Sequence, residues 1–248
     1  MTITVMFHQL RYRQFKTFYI DHVKAMLSRE FPNLPSYNRC IELMPRCLLG
    51  LCAFFQTIKA PCTGISFIDA TALAVCHNRR IKQHRVFADT AQRGKTSVGW
   101  FFGFKLHLVI NHFGIVDCKL STGNTDDRKP VGDLCQHVYG MLTGDKGYLS
   151  EKLTQQLHQS GIQLLTPIRR KMKKRPKRTG FELYLLQHRA LIETVIDQLK
   201  NQSQIQHTRH RSMTGFLVNL MSGLVAYALS PNKPKLSLSK VQALQVSA

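Results

Sequence analysis

The sequence predicts an α/β protein: a mixed sheet flanked by helices and preceded by a small helical region. Three observations carry this expectation. Two apolar runs, Ile65-Ser66-Phe67-Ile68 and Met141-Leu142-Thr143-Gly144, each lead into an aspartate, Asp69 and Asp145. Between them, residues 100–120 alternate like a hairpin. Helical patterns then interleave with the later strands, whereas the first 60 residues show helical periodicity alone.

In chain order, residues 3–27 place Val5, Leu10, Phe15, Phe18 and Val23 among Arg, Lys and Gln with helical spacing. Pro32 and Pro35 interrupt that pattern, and Ser36 is positioned to cap a second helix over residues 37–56. Residues 65–69 read as a short strand ending in an acid. Residues 77–97 are polar and basic and read as a loop. Residues 100–110 put Phe104, Leu106, Leu108 and Ile110 on one strand face, and Lys105, His107 and Val109 on the other. Asn111-His112-Phe113-Gly114 supplies a turn and residues 115–120 return. A turn-rich loop at 121–130 precedes a short helix to about residue 139 and a second acid-ended strand, 141–145. Ser150 caps a helix that stops at Gly161; residues 162–166 form a strand, 181–201 a helix, and Ser212 caps a closing helix before Pro231. Two strands delivering acids at their ends and a later helix delivering a third describe a ribonuclease H-like core. The expected domains are residues 1–60, helical and DNA-binding; 61–231, catalytic; and 232–248, a tail without structural signal.

Charge narrows the function. Thirty-five Lys and Arg face 14 Asp and Glu, a formal net charge of +21. That excess attracts polyanions and fits a phosphate backbone, although a membrane-surface or ribosome-associated protein could share it. Seven cysteines without a C-x-x-C pair read as reduced thiols in a cytoplasmic protein. The apolar stretch at 216–229 contains Asn219 and is too short to span a bilayer, so it reads as a buried helix and no membrane partner is expected.

With so few acids, those in apolar contexts stand out. Acids are depleted in strands, and one at a strand end points into the crevice where α/β sheets bind ligands. For Asp145, Asp-Lys-Gly is equally good turn chemistry. Glu193 lies in a helical stretch where Arg189, Glu193 and Lys200 share a stripe beside Asp197. An Arg189–Glu193 ion pair is one reading; a basic pair flanking a metal-binding acid is the other, because Arg before Glu is the weaker orientation for a helical pair. Phosphoryl transfer on DNA needs a few carboxylates to converge on two metal ions. Asp126 and Asp127 fit loop structure and capping better than the site itself.

Together the Phe-Ile-Asp strand, Gly103-Phe104-Lys105-Leu106-His107, Gly123-Asn124-Thr125-Asp126-Asp127-Arg128, Gly144-Asp145-Lys146-Gly147-Tyr148 and Arg189-x3-Glu193-x6-Lys200 resemble bacterial insertion-sequence transposases with a DDE catalytic domain. The resemblance covers about residues 64–229. It implies a ribonuclease H-like fold, and cleavage at transposon ends followed by strand transfer into target DNA. Asp69, Asp145 and Glu193 then become the catalytic ligands of two Mg2+ ions, with Mn2+ as a substitute. It further implies homo-oligomers on DNA and a bacterial cytoplasm, at the nucleoid. The Tyr that members place three residues before the helix Arg is Leu186 here.

The expected DNA contacts are Lys105 and His107 beside the acids, the run containing Arg169, Arg170, Lys171, Lys173 and Lys174, and Arg189 and Lys200 on the third acid's helix. Because similar transposases begin several dozen residues earlier, the first helix is expected to lack a packing partner and to expose Val5, Met6 and Leu10. Two other functions share these features. One is a ribonuclease H-like nuclease that cuts without joining; the other is a shortened remnant that only binds DNA.

Overall fold

A computed structural model describes residues 1–168 and 176–236. The helices are α1 (Thr2–Gln9), α2 (Phe15–Thr17), α3 (Tyr37–Leu43), α4 (Cys47–Ile58), α5 (Val131–Leu134), α6 (Glu151–Gln159), α7 (Gly180–Gln187), α8 (Ala190–Asp197) and α9 (Met213–Leu229). The strands are β1 (Ile65–Cys76), β2 (Gln92–Lys95), β3 (Trp100–Asn111), β4 (Gly114–Thr122), β5 (Gly140–Gly144) and β6 (Ile162–Leu165). The expected serine caps are present: Ser36, Ser150 and Ser212 accept from the backbone N–H of Arg39, Leu153 and Gly215.

The chain forms two compact units. The first combines Met1–Ile58 with Ala74–Ala91 and Asp197–Pro231, so the helical region is assembled from three stretches of chain. The expected helix over 3–27 is broken. Arg11 takes a positive φ of 58°, and the chain resumes as α2 and a π-helical turn over Phe18–Lys24. Phe7, Phe18, Tyr19 and Val23 bury themselves there, with Tyr12, Phe15 and Tyr37 packed against them. The second expected helix is also divided, because Pro45 sits in a 3-10 turn over Met44–Arg46 between α3 and α4. By length and composition Tyr37–Ile58 could cross a membrane, a test that core helices of soluble proteins also meet. Here α4 packs on α9 with Leu51 and Phe55 buried, while Leu49 and Phe54 on the same helix are exposed. The first helix does not lack a partner: α1 packs on α9, which buries Val5, while Leu10 remains 44% exposed.

The second unit, Lys59–Leu73, Gln92–Ile196 and the chain from Asn232, contains the sheet. Its order is β2-β3-β1-β5-β6, with β4 also on β3. β3 and β4 form the expected hairpin, and the Asn111 side chain accepts from Phe113 N–H in its turn. β5 lies parallel to β1 and to β6. The mixed sheet flanked by helices matches the expected class.

Three elements differ from the sequence expectation. β1 does not stop at Asp69 but runs on to Cys76. β2 lies inside the expected loop: Gly94 lets it approach so closely that a methyl there would stand 2.1 Å from the Gly123 carbonyl. The expected helix over 181–201 comprises α7, begun by a Thr179–Glu182 capping box, then α8, then a π-helical turn at Gln198–Gln202. The even spacing that put Lys200 on the Glu193 stripe therefore ends at Gln198.

Candidate active site

The acids meet because β1 and β5 are parallel neighbours in register. Ile68 pairs with Gly144, and Asp69 and Asp145 are the next residue of each chain. Parallel strands side by side point corresponding residues the same way, so the pair is fixed by backbone register rather than by side-chain packing. Glu193 comes from the first turn of α8 and is exposed. Its charge, like those of Asp145 and Asp127, reaches Asp69.

Asp69 is half-buried, and one of its oxygens, Oδ1, accepts the Ala70 N–H at 2.8 Å. Burial first, and then the neighbouring carboxylates, push its pKa up to about 6 against the pull of that hydrogen bond. Asp145 is exposed and holds Arg189, Nη1 to Oδ1, at 2.6 Å. The Arg189–Glu193 pair that the sequence allows is therefore replaced by a bridge to a residue 44 positions away. Asp197 accepts from Asn201 at 2.6 Å.

Asp127, expected to serve loop structure, does belong to the loop, but its charge bears on Asp69, and its own partner is Lys105 at 2.8 Å. Lys105 also donates to the Thr125 carbonyl at 2.9 Å, and its side chain is 13% exposed. Asp126 does what the loop requires of it, clasping the Arg128 backbone and guanidinium. The open strand face expected for His107 is absent. His107 is fully buried, bonded through Nε2 to Ser121 Oγ at 2.7 Å, and burial lowers its pKa to about 4. Lys200 is half-buried, and burial lowers its pKa as well. With Asn201, Gln206, His207, Thr208 and Arg209 it lines a cavity of about 350 Å³. Arg169, Arg170, Lys171, Lys173 and Lys174 lie outside the described residues.

Among the described residues, no three His, Cys, Asp or Glu side chains stand within metal-ligating distance of one another. The donor set nevertheless fits a hard divalent cation: oxygen ligands only, a half-buried carboxylate whose ionisation is penalised, and like charges gathered around it. Among the described residues, Arg189 engages the group through Asp145 and Lys105 engages it through Asp127.

Residues 59–213 match a family model described as "Transposase DDE domain", which spans more than half of the chain. No curated protein sequence matches. Among solved structures, the chain resembles one titled "Cryo-EM structure of piggyBac transposase synaptic complex with hairpin DNA (SNHP)". The TM-score is 0.50 at 11% identity, covering 99% of this chain and 69% of that one. At that identity the likeness concerns the fold.

Proposed function

The chain belongs to the family of proteins with a transposase DDE domain, and we propose that it is a DNA transposase that cleaves at the ends of an insertion-sequence element and joins them to target DNA. The observation that carries this reading is that Asp69 and Asp145 directly follow the paired Ile68 and Gly144 of two parallel strands, with the Glu193 charge bearing on Asp69. In a protein of net charge +21, carboxylates gathered at one place disagree with the general attraction for anions and imply a bound cation.

Asp69, Asp145 and Glu193 would hold two Mg2+ ions, with Mn2+ as a substitute, and such ions polarise the scissile phosphate and activate its attacker. The remaining work falls to the chain itself. Arg189, bridged to Asp145, holds a guanidinium beside the site, where it can pass to a DNA phosphate. Lys200, Arg209 and the run from Arg169 to Lys174 carry positive charge for the backbone. The DNA complex of the piggyBac relative supports this choice of substrate. We assign transposon ends and target DNA as partners, homo-oligomers as the working form on DNA, and the bacterial nucleoid as the location.

The test is cleavage and joining of a DNA bearing the element's ends. Wild type in Mg2+ or Mn2+ should cut and join, whereas Asp69→Asn, Asp145→Asn or a chelator should reduce both to background. DNA binding should persist or tighten slightly, since a negative charge leaves a basic surface. Full cleavage by either variant would sink the mechanism. Cutting without joined product would mark a nuclease instead.

A further inference from the structure

Tyr148 follows Asp145 by three residues, at the end of a 3-10 turn, and is only 2% exposed. Its ring lies against the backbone that sets the acid pair. A methyl on Gly144 would stand 3.1 Å from Tyr148 Cδ2 and 3.1 Å from Ile68 Cγ2. Gly144 and Ile68 are the paired residues immediately before Asp145 and Asp69. The ring otherwise joins an apolar cluster with Val109, Leu134 and Leu142.

Packing explains the ring but not the oxygen. The hydroxyl is buried and has no hydrogen-bond partner among the described residues. A buried donor without an acceptor is costly, and phenylalanine would fill the same space without that cost. Burial first, and then the carboxylates of Asp69, Asp127 and Asp145, hold the phenol pKa far above its ordinary value, so the group remains an O–H donor. Two of those three carboxylates already have cations: Asp127 has Lys105 at 2.8 Å and Asp145 has Arg189 at 2.6 Å. Among the described residues, the hydrogen bond that Asp69 accepts comes from the Ala70 N–H, on Oδ1. An unmatched donor and an under-matched acceptor thus flank the same paired residues, Ile68 and Gly144.

We infer that Tyr148 is a positioning residue whose hydroxyl serves as donor to the second oxygen of Asp69. The ring sets the height of the phenol through Gly144 and Ile68, and the O–H fixes the Asp69 side-chain torsion. Each carboxylate oxygen keeps a lone pair for a cation. This inference rests on the transposase reading of the acids.

Tyr148→Phe removes one oxygen and leaves the ring. Three quantities test it: thermal unfolding, Mn2+ binding by isothermal titration without DNA, and cleavage resolved into kcat and KM. The expected result is equal or greater thermal stability, Mn2+ affinity weaker by about 10-fold, and kcat lower by about 10- to 100-fold with KM for DNA unchanged, the range found for groups that orient metal ligands. Wild-type Mn2+ affinity and kcat in the variant would overturn the inference. So would lower stability with unchanged Mn2+ affinity, because the hydroxyl would then be serving the fold. Wild type and Asp69→Asn run alongside separate the two claims. If wild type binds no Mn2+, the transposase reading fails; if wild type binds, Asp69→Asn does not, and Tyr148→Phe equals wild type, only the tyrosine's role falls.

Discussion

In the first unit, His8 is buried with Nδ1 2.5 Å from the Ser203 carbonyl, and His210 stacks on His207 with ring centres 3.7 Å apart. Burial lowers the His8 pKa to about 4 and that of His210 to about 3, so both are neutral near pH 7. In the second unit, Asp69 sits among Asp145, Asp127 and Glu193, and its pKa rises to about 6, so near pH 7 it is ionised against that penalty. Both histidines shed their charge: His8 packs with a hydrogen bond, and His210 packs through its ring against His207 and Phe216, its Nε2 without a partner among the described residues. The acids retain theirs and accumulate it. A neutral side chain needs no counter-charge; gathered carboxylates do, and here Arg189 and Lys105 supply it to Asp145 and Asp127 but not to Asp69 among the described residues.

The largest effect should come from asking which helix acid belongs to that charged cluster. Glu193→Gln should lower metal-dependent cleavage by roughly 100-fold or more, whereas Asp197→Asn should leave it nearly unchanged. Cleavage assays on the two variants at matched expression decide this, and the reverse ranking would transfer the third ligand to Asp197.

The histidine side of the comparison predicts acid sensitivity. His8 titrates at about 4 when folded against 6.5 as a free side chain. A depressed base contributes stability that is whole above pH 6.5 and is lost as the pH falls towards 4. The loss amounts to about 3 kcal/mol. His8→Asn keeps a donor for Ser203 and cannot titrate, so its acid-induced loss of stability should be smaller by about that amount. Urea unfolding across pH 4–7 measures it, and parallel curves for the two proteins would show that His8 carries no such load.

The smallest effect concerns long-range charge. Neutralising four residues among Arg169, Arg170, Lys171, Lys173 and Lys174 should weaken binding to unrelated duplexes alike. It should also flatten the dependence of log affinity on log salt by about 0.9 for each DNA phosphate that the protein no longer neutralises. An unchanged slope would mean that the run does not touch DNA.

How far these contrasts can be read from sequence depends on the range of the interaction that makes them. The serine caps, the hairpin and the strand ending at Gly144 are local patterns, and all are legible. The extension of β1 is masked by the acid: Thr71, Leu73 and Val75 alternate with Ala70, Ala72 and Ala74 as a half-buried strand should, but Asp69 reads as the strand's end. β2 offers only Gln-Arg-Gly-Lys, and its clue is the glycine pair Gly94 and Gly123 at close approach. The three acids are each visible in isolation. That Asp127 adds to them, that Arg189 turns to Asp145 and that His107 is sealed inside the sheet depend on interactions between distant parts of the chain. Asp127 does carry a signal, a second acid in a short loop of an acid-poor protein.

The parallel pairing of β1 with β5 also has a consequence in time. Asp69 leaves the ribosome 76 residues before its strand neighbour Asp145, and 124 residues before Glu193. At about 5–20 residues per second, the first acid waits roughly 6–25 s for the last. Through that interval the nascent chain already displays the arginines and lysines that precede Asp69, from Arg11 to Lys59, so positive charge precedes the assembled acids. In a chain translated in this order, the positive charge that precedes Asp69 is on display before the three acids can come together.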